Sequence, residues 1–254
     1  MTNQKQMKVL LLAAGLGKRL QPLTNHWPKC LMPVQGRPLL EYWLSSLRKL
    51  DLEQVWVNVH YKSETVKEFL NQPQFTDWVS YFEEPKLLGT AGTLRHFSEE
   101  FHGSKVILIH ADNLCQCDLQ SFLNSHSKRP PSTLITMMTF RTETPMSCGI
   151  VEIDERGIVL ELHEKVDDPP GNLANAAVYI LEPEIMSWLK QQPDIVSDFS
   201  TQVLHCFIGK INTWIKQVDE EVEINEEVFY WYIIKGTTQK GKVWRTGTEK
   251  EMKL

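Results

Sequence analysis

A short apolar run near the amino terminus does most to limit what this chain can fold into. Residues 7–13 (MKVLLLA) form that run, which stops at a glycine-rich turn. A run of this kind is typical of a strand that is covered on both faces, as in a parallel sheet. It therefore predicts a buried strand inside an α/β fold.

Strand and helix patterns alternate along the first half of the chain. Predicted strands follow at 55–59, 79–82 and 105–110, and predicted helices at 38–50, 63–70 and 93–101. The alternation predicts a doubly wound, mostly parallel, Rossmann-like sheet. The second half has strand patterns at 132–140, 149–153, 158–163 and 175–181, and helix patterns at 183–190 and 199–207. We expect these strands to add a mixed or antiparallel part at the sheet edge, in a domain of residues 1–216 followed by a divergent tail, 217–254.

Composition narrows the class of partner. The formal net charge is −5, so no basic field is present to hold a nucleic acid backbone. No apolar run reaches the roughly 18 residues of a membrane span, and the first residues lead into a strand rather than a signal peptide. The cysteine count is 5, with no paired zinc motif, which indicates reduced thiols. We expect a cytoplasmic protein with no nucleic acid or membrane partner.

The loop after the first strand carries residue types that suit phosphate binding. Its small residues are Ala13, Ala14, Gly15 and Gly17. Small residues let a backbone approach a base and phosphates closely, and glycine permits unusual dihedral angles. Arg19 and Lys29 place positive charge beside the loop. For the glycines alone, a tight turn with solvated basic side chains is an equal alternative.

An aspartate stands where open α/β sheets bind their ligands. Asp112 comes just after the predicted strand 105–110, and ligands bind beyond the carboxyl ends of such strands. A carboxylate there can hold Mg²⁺ against a triphosphate. The alternative is that Asp112 caps the segment that follows, and the residue type favours neither.

The motifs in their order resemble those of the sugar-1-phosphate nucleotidylyltransferases. Residues 15–24 (GLGKRLQPLT) and 28–34 (PKCLMPV) resemble the family signature; the loop is not a dinucleotide fingerprint, because a third glycine is missing. Glu84-Pro85 and residues 88–92 (LGTAG) then match its base-recognition loop. The similarity covers about residues 7–210 and is closest in appearance to the mannose-1-phosphate guanylyltransferases.

The resemblance implies nucleotidyl transfer from a nucleoside triphosphate to a sugar 1-phosphate, with Mg²⁺. Arg19, Lys29 and Asp112 would be catalytic, and Asp112 would hold the metal. The residues implied to bind the nucleotide are Ala13, Ala14, Gly15, Gly17, Glu84, Gly89 and Thr90. Those implied to bind the sugar phosphate are Gly149, Glu164, Lys165 and Asn175.

The predicted base is guanine, and the predicted sugar is mannose or a relative. In the family the position of Glu84 faces the edge of the base, and a carboxylate only accepts hydrogen bonds. Guanine offers two adjacent donors on that edge, whereas uracil and thymine offer one donor between two acceptors. Glu83 or backbone groups facing the base, or UTP or dTTP with glucose 1-phosphate, are the alternatives.

One family motif has no match in this sequence. The family places a second metal-binding aspartate in a D-x-G-T string near its carboxyl end, but the nearest string here, residues 243–249, has Arg245 in its place. Either the tail has diverged or an acidic residue such as Asp219 substitutes. The alternative function is a catalytically impaired, nucleotide-sugar-binding regulatory subunit. Exposed strand edges in the second half are compatible with a homodimer.

Overall fold

A mixed β-sheet with helices on both faces forms the framework of the protein. The computed structural model describes residues 7–50, 52, 54–115 and 117–216. Asp219, Arg245 and the rest of the predicted tail lie outside these described residues. The division at residue 216 therefore stays a prediction.

The elements follow in chain order. The strands are β1 (Met7–Leu12), β2 (Pro33–Val34), β3 (Arg37–Pro38), β4 (Val55–Val59), β5 (Val79–Glu83), β6 (Lys105–His110), β7 (Ile135–Arg141), β8 (Gly149–Ile153), β9 (Val159–Glu164), β10 (Leu173–Leu181) and β11 (Ile211–Ile215). The helices are α1 (Leu39–Leu47), α2 (Ser63–Leu70), α3 (Thr90–His96), α4 (Leu119–Ser127) and α5 (Pro183–Lys190).

The first half forms the predicted parallel sheet. Strands β6, β1, β4 and β5 lie side by side in that order, and each pair is parallel. Along β1, Leu11 enters the core that contains Trp43 of α1, while Leu10 enters the core that contains Leu94 of α3. Both leucines are completely buried, and each such burial contributes about 2 kcal/mol. The expectation of a strand covered on both faces is confirmed.

The second half extends the sheet from β6. Strand β10 is antiparallel to both β6 and β7, β11 is parallel to β7, and the β8–β9 hairpin attaches to β10. This arrangement confirms the mixed part expected there. Because β10 runs against β6, its beginning lies beside the carboxyl end of β6, where Val178 pairs with Ile109.

Four parts of the fold differ from the sequence expectations. Helix α4, strand β11 and the small β2–β3 hairpin were not predicted. The segment predicted as one helix at 199–207 is a π-helical turn, Phe199–Val203, followed by a 3₁₀ turn, Leu204–Phe207.

Among the described helices none is long and apolar enough to cross a membrane. The cysteines are all free thiols.

Candidate active site

The loop that follows β1 is shaped by close contacts. Ala13 and Ala14 are buried, whereas Gly15 is exposed and a side chain there would meet nothing within 4 Å. Gly17 has φ +62°, and an added Cβ would lie 2.7 Å from Cγ2 of Thr24. The Thr24 hydroxyl also donates to the carbonyl of Gly17 at 3.0 Å. Only glycine suits position 17, and the loop leaves open space around Gly15.

An ion pair joins this loop to the end of β6. Nζ of Lys29 lies 2.5 Å from Oδ2 of Asp112. Partial burial raises the pKa of Asp112, but Lys29 and His110 lower it more, and the net pKa lies below its ordinary value. The carboxylate is therefore ionised at neutral pH. The turn after Asp112 is held by Trp43, whose Nε1 donates to the carbonyl of Asn113 at 2.7 Å.

Asp112 does not cap the helix that follows it. The N-cap of α4 is Asp118, whose carboxylate accepts from the backbone of Ser121 at 3.1 Å. The capping alternative for Asp112 is therefore wrong. Within the described residues, Lys29 is the side chain that hydrogen-bonds to the Asp112 carboxylate, through Oδ2.

A buried amide links the glycine loop to the segment after β5. Asn58 is 3% exposed; its Oδ1 accepts from the backbone of Ala13 at 2.6 Å, and its Nδ2 donates to Oε1 of Glu84 at 2.8 Å. Nδ2 also lies 3.2 Å from Oγ1 of Thr93. The sequence reasoning missed Asn58 and Thr93. The available signal was a polar residue in an otherwise apolar strand, because a buried amide needs partners.

The position of Glu84 corrects one expectation. Its side chain is 1% exposed, and Oε1 accepts hydrogen bonds from Asn58 and Thr93. Oε2 accepts from the backbone of Leu88 at 3.0 Å. The carboxylate therefore supports the loop from within and does not face a base, because the side chain is buried and both oxygens accept hydrogen bonds from inside the protein.

Gly89 and Thr90 connect the same loop to a distant segment. Gly89 has φ +76°, and a Cβ there would collide with the carbonyl oxygen of Ser197. That oxygen accepts from the backbone of Ala91 at 2.8 Å, and Oγ1 of Thr90 accepts from the backbone of Phe199 at 2.7 Å. The two residues fix the shape of the loop, and their contact with a nucleotide stays a prediction.

The four residues assigned to the sugar phosphate lie together. Gly149 pairs with Glu164 across β8 and β9, and a Cβ at Gly149 would lie 2.8 Å from Oε2 of Glu164 and 4.0 Å from Cβ of Asn175. Nζ of Lys165 lies 3.2 Å from Oε1 of Glu164. Nδ2 of Asn175 donates to the Tyr179 hydroxyl at 2.8 Å. The glycine leaves the space that the glutamate occupies.

The two groups of residues meet at the carboxyl edge of the parallel strands. Nδ2 of Asn113 lies 3.5 Å from the carbonyl of Ala176, and the rings of His110 and Tyr179 are 6.4 Å apart. Nε2 of His110 is buried without a hydrogen-bond partner in the described part of the chain. Arg19 lies exposed on a 3₁₀ turn, and its role stays a prediction.

Comparisons with known proteins agree with this architecture. The model of the family described as nucleotidyl transferase matches residues 8–234. A UTP–glucose-1-phosphate uridylyltransferase from Synechocystis sp. is 28% identical over 251 residues, which cover 92% of this chain and 64% of that protein. A mannose-1-phosphate guanylyltransferase from Mycobacterium tuberculosis is 28% identical over 191 residues, which cover 75% of this chain and 53% of that protein.

A solved structure shows the same fold. The crystal structure of HddC from Yersinia pseudotuberculosis has a TM-score of 0.69 and 22% identity, and the match covers 82% of this chain and 89% of that one. The chain spans about half to two thirds of the length of the two sequence relatives, 53% and 64%. The matched region contains all the residues described at the candidate site.

Proposed function

This chain belongs to the nucleotidyl transferase family, and we propose that it transfers a nucleotidyl group from a nucleoside triphosphate to a sugar 1-phosphate. The observation that carries the proposal is the 2.5 Å pair of Lys29 and Asp112 beside the glycine loop. The cluster of Gly149, Glu164 and Asn175 opens at the same sheet edge. A donor and an acceptor can therefore bind side by side.

The reaction needs positioning and charge neutralisation rather than a covalent intermediate. An oxygen of the sugar phosphate attacks the α-phosphorus, and the bond from that phosphorus to the pyrophosphate oxygen breaks. The attacking oxygen is already anionic, so no base has to remove a proton. Lys29 and Arg19 would neutralise charge on the triphosphate, and such stabilisation acts where the charge develops.

The residues present fit a bound Mg²⁺. Asp112 is an ionised carboxylate, and Lys29 occupies its Oδ2. Mg²⁺ in nucleotide sites is commonly held by one or two carboxylates together with substrate phosphates, so a single aspartate at the end of β6 is sufficient to hold it. When bound, the ion would polarise the phosphoryl oxygens.

The acceptor cluster suits a phosphorylated sugar. Glu164 can accept hydrogen bonds from sugar hydroxyls, and Asn175 can both donate and accept. Lys165 would hold the phosphate as a point charge. The short distance between Lys165 and Glu164, 3.2 Å, keeps the cation beside the sugar-binding carboxylate.

GTP and mannose 1-phosphate, or a related sugar, are the proposed substrates. The support is now the relative named mannose-1-phosphate guanylyltransferase, because the Glu84 carboxylate is committed to Asn58, Thr93 and Leu88. Base selection would then fall to the exposed residues 85–87 and to backbone groups of this loop. UTP with glucose 1-phosphate, named for the Synechocystis relative, is the competing pair.

Pyrophosphate release tests both the proposed reaction and the proposed substrates. Purified protein with Mg²⁺ is supplied with GTP, UTP, dTTP and CTP in competition, and with mannose 1-phosphate and glucose 1-phosphate as acceptors. We expect GTP to be preferred by about tenfold or more in kcat/KM, the effect of one well-placed hydrogen bond. A preference for UTP or dTTP would overturn the substrate assignment only. Nucleotide-sugar binding without turnover under all conditions would overturn the enzyme and favour a regulatory subunit.

A further inference from the structure

A groove lies at the edge of the sheet opposite the candidate active site. It has a volume of about 600 Å³ and lies between α4, the turn at 128–130, the turn at 154–157 and β11. Asn212 lines the groove and pairs with Thr136 near the beginning of β7. Strand β7 runs in the same direction as β6, whose far end leads into Asp112. The groove and the Lys29–Asp112 pair therefore lie at opposite edges.

The groove is lined by cations and by neutral polar residues. Its charged lining residues are Lys128, Arg129 and Arg156, without an aspartate or glutamate. Arg129 is committed to the fold, because Nε donates to the carbonyl of Thr133 at 3.1 Å and Nη2 pairs with Glu182. Such a lining attracts anions and offers no competing carboxylate.

Two of these cations are available to a ligand. Within the part of the chain that the structure describes, the side chains of Lys128 and Arg156 have no hydrogen-bond or ion-pair partner, and both are exposed. Asp154, two residues before Arg156, uses Oδ1 to accept from the backbones of Arg156 and Ile158, each at 2.8 Å. Asp154 therefore shapes the turn and does not pair with the side chain of Lys128 or Arg156.

A polar side chain without a partner also lines the groove. Asn212 is 7% exposed, and its side chain has no hydrogen-bond partner among residues 7–216 that the structure describes. Its amide atoms are not among the fully buried, unpaired atoms of these residues, so they can be reached from the groove. The amide borders the groove, where a ligand could both donate to it and accept from it.

We propose that this groove binds a phosphorylated small molecule at a second site. Arg156 supplies a planar fork and Lys128 a point charge, the two forms in which proteins bind phosphoryl oxygens. Asn212 donates to the same group from the floor of the groove. The volume lies in the range of pockets that hold small-molecule ligands. Inorganic phosphate, pyrophosphate and a nucleotide sugar share the recognised phosphoryl group.

Calorimetric titration of the full chain tests the site. The three probes are inorganic phosphate, pyrophosphate and GDP-mannose as the nucleotide sugar. We expect the double variant Lys128→Gln/Arg156→Gln to weaken binding of at least one probe by about tenfold or more. Asn212→Asp should weaken it similarly, because the new carboxylate repels the ligand. Lys49→Gln, an exposed lysine on another face, is the matched control and should bind as the wild type does.

Lys29→Ala separates this site from the proposed catalytic cleft. Groove binding should survive in Lys29→Ala, whatever happens to turnover, so the two proposals can fail independently. The probe whose affinity falls in the groove variants identifies the source of the phosphoryl group. Equal affinities of the wild type and the double variant for all three probes, or a loss confined to Lys29→Ala, would overturn the proposal.

Discussion

The side-chain nitrogen of Asn58 lies 2.8 Å from Oε1 of Glu84, so the end of β4 holds the loop that follows β5. The amide oxygen, Oδ1, accepts a hydrogen bond from the backbone N–H of Ala13 at 2.6 Å. One side chain thus binds both the glycine loop and the loop assigned to the base, and it fixes the distance between them. Its loss should disturb both the fold and the binding of the nucleotide.

We expect Asn58→Asp to raise the nucleotide KM by about tenfold or more and to lower the free energy of unfolding by about 1–3 kcal/mol. The aspartate cannot donate to Glu84 and places a second buried carboxylate beside it. Steady-state kinetics and urea unfolding measure the two effects. Asn71→Asp makes the same change at an exposed position and should alter neither. A wild-type nucleotide KM in Asn58→Asp would refute the spacing role.

Replacing Asp112 by asparagine should reduce kcat by about a hundredfold at limiting Mg²⁺, because the amide lacks the charge that holds the ion. Turnover is measured across a Mg²⁺ series. Asp118→Asn is the matched control: it changes the N-cap of α4, and asparagine caps as well as aspartate does. The control should keep wild-type turnover. Near-normal turnover of Asp112→Asn at limiting Mg²⁺ would remove Asp112 from the metal site.

The Lys165→Ala variant should raise the sugar-phosphate KM by about tenfold or more while changing the nucleotide KM much less. Loss of a hydrogen bond from a charged donor accounts for an effect of this size. Initial rates with each substrate varied in turn provide the comparison. Lys190→Ala, on α5 and paired with Glu99, serves as the control. A larger effect on the nucleotide KM would exchange the roles of Lys165 and Lys29.

Acid should destabilise the protein through a buried histidine. His126 contacts Thr136 and Glu182 at 2.8 and 2.9 Å; burial, then Arg129 and Lys105, lower its pKa to about 4, against the opposing effect of Glu182. The unfolded chain takes up this proton near pH 6.5, but the folded chain takes it up only near pH 4. Stability from this residue is therefore complete above pH 6.5 and falls by about 3 kcal/mol as the pH drops to 4.

Urea unfolding between pH 7.5 and 4 measures this loss. Other groups also titrate in the interval, so the comparison is between variants. We expect His126→Gln to show a shallower fall in unfolding free energy than the wild type, because the titrating group is gone. The exposed His205→Gln should follow the wild-type curve. Parallel curves for wild type and His126→Gln would contradict the assignment to His126.

Local patterns in the sequence predicted most of the fold. The apolar runs of β1, β4 and β6 stand out because both faces of these strands are buried. Helix α4 was missed although its signals are present: Asp118 as a cap, followed by Leu119, Phe122 and Leu123 at helical spacing. The order of the strands could not be predicted, since pairing of β10 with β6 depends on contacts between residues far apart in the chain.

The site was less accessible to sequence reasoning than the fold. The resemblance identified Lys29 and Asp112, but their 2.5 Å pairing joins residues 83 apart in sequence. The resemblance predicts that the Glu84 carboxylate faces the base, but it points inward because the buried polar groups of Asn58 and Thr93 need a partner. Side-chain direction at such positions is decided by tertiary hydrogen bonds, which a motif does not reveal.

The antiparallel course of β10 beside β6 has a consequence for how substrate choice can change over generations. Residues assigned to the nucleotide all precede Asn113, and those assigned to the sugar phosphate lie between Gly149 and Asn175. The two stretches meet just beyond their ends, where Nδ2 of Asn113, the residue after Asp112, lies 3.5 Å from the carbonyl of Ala176, the residue after Asn175. Under the proposed function, mutations could alter the accepted sugar within one continuous segment while the choice of base is inherited unchanged.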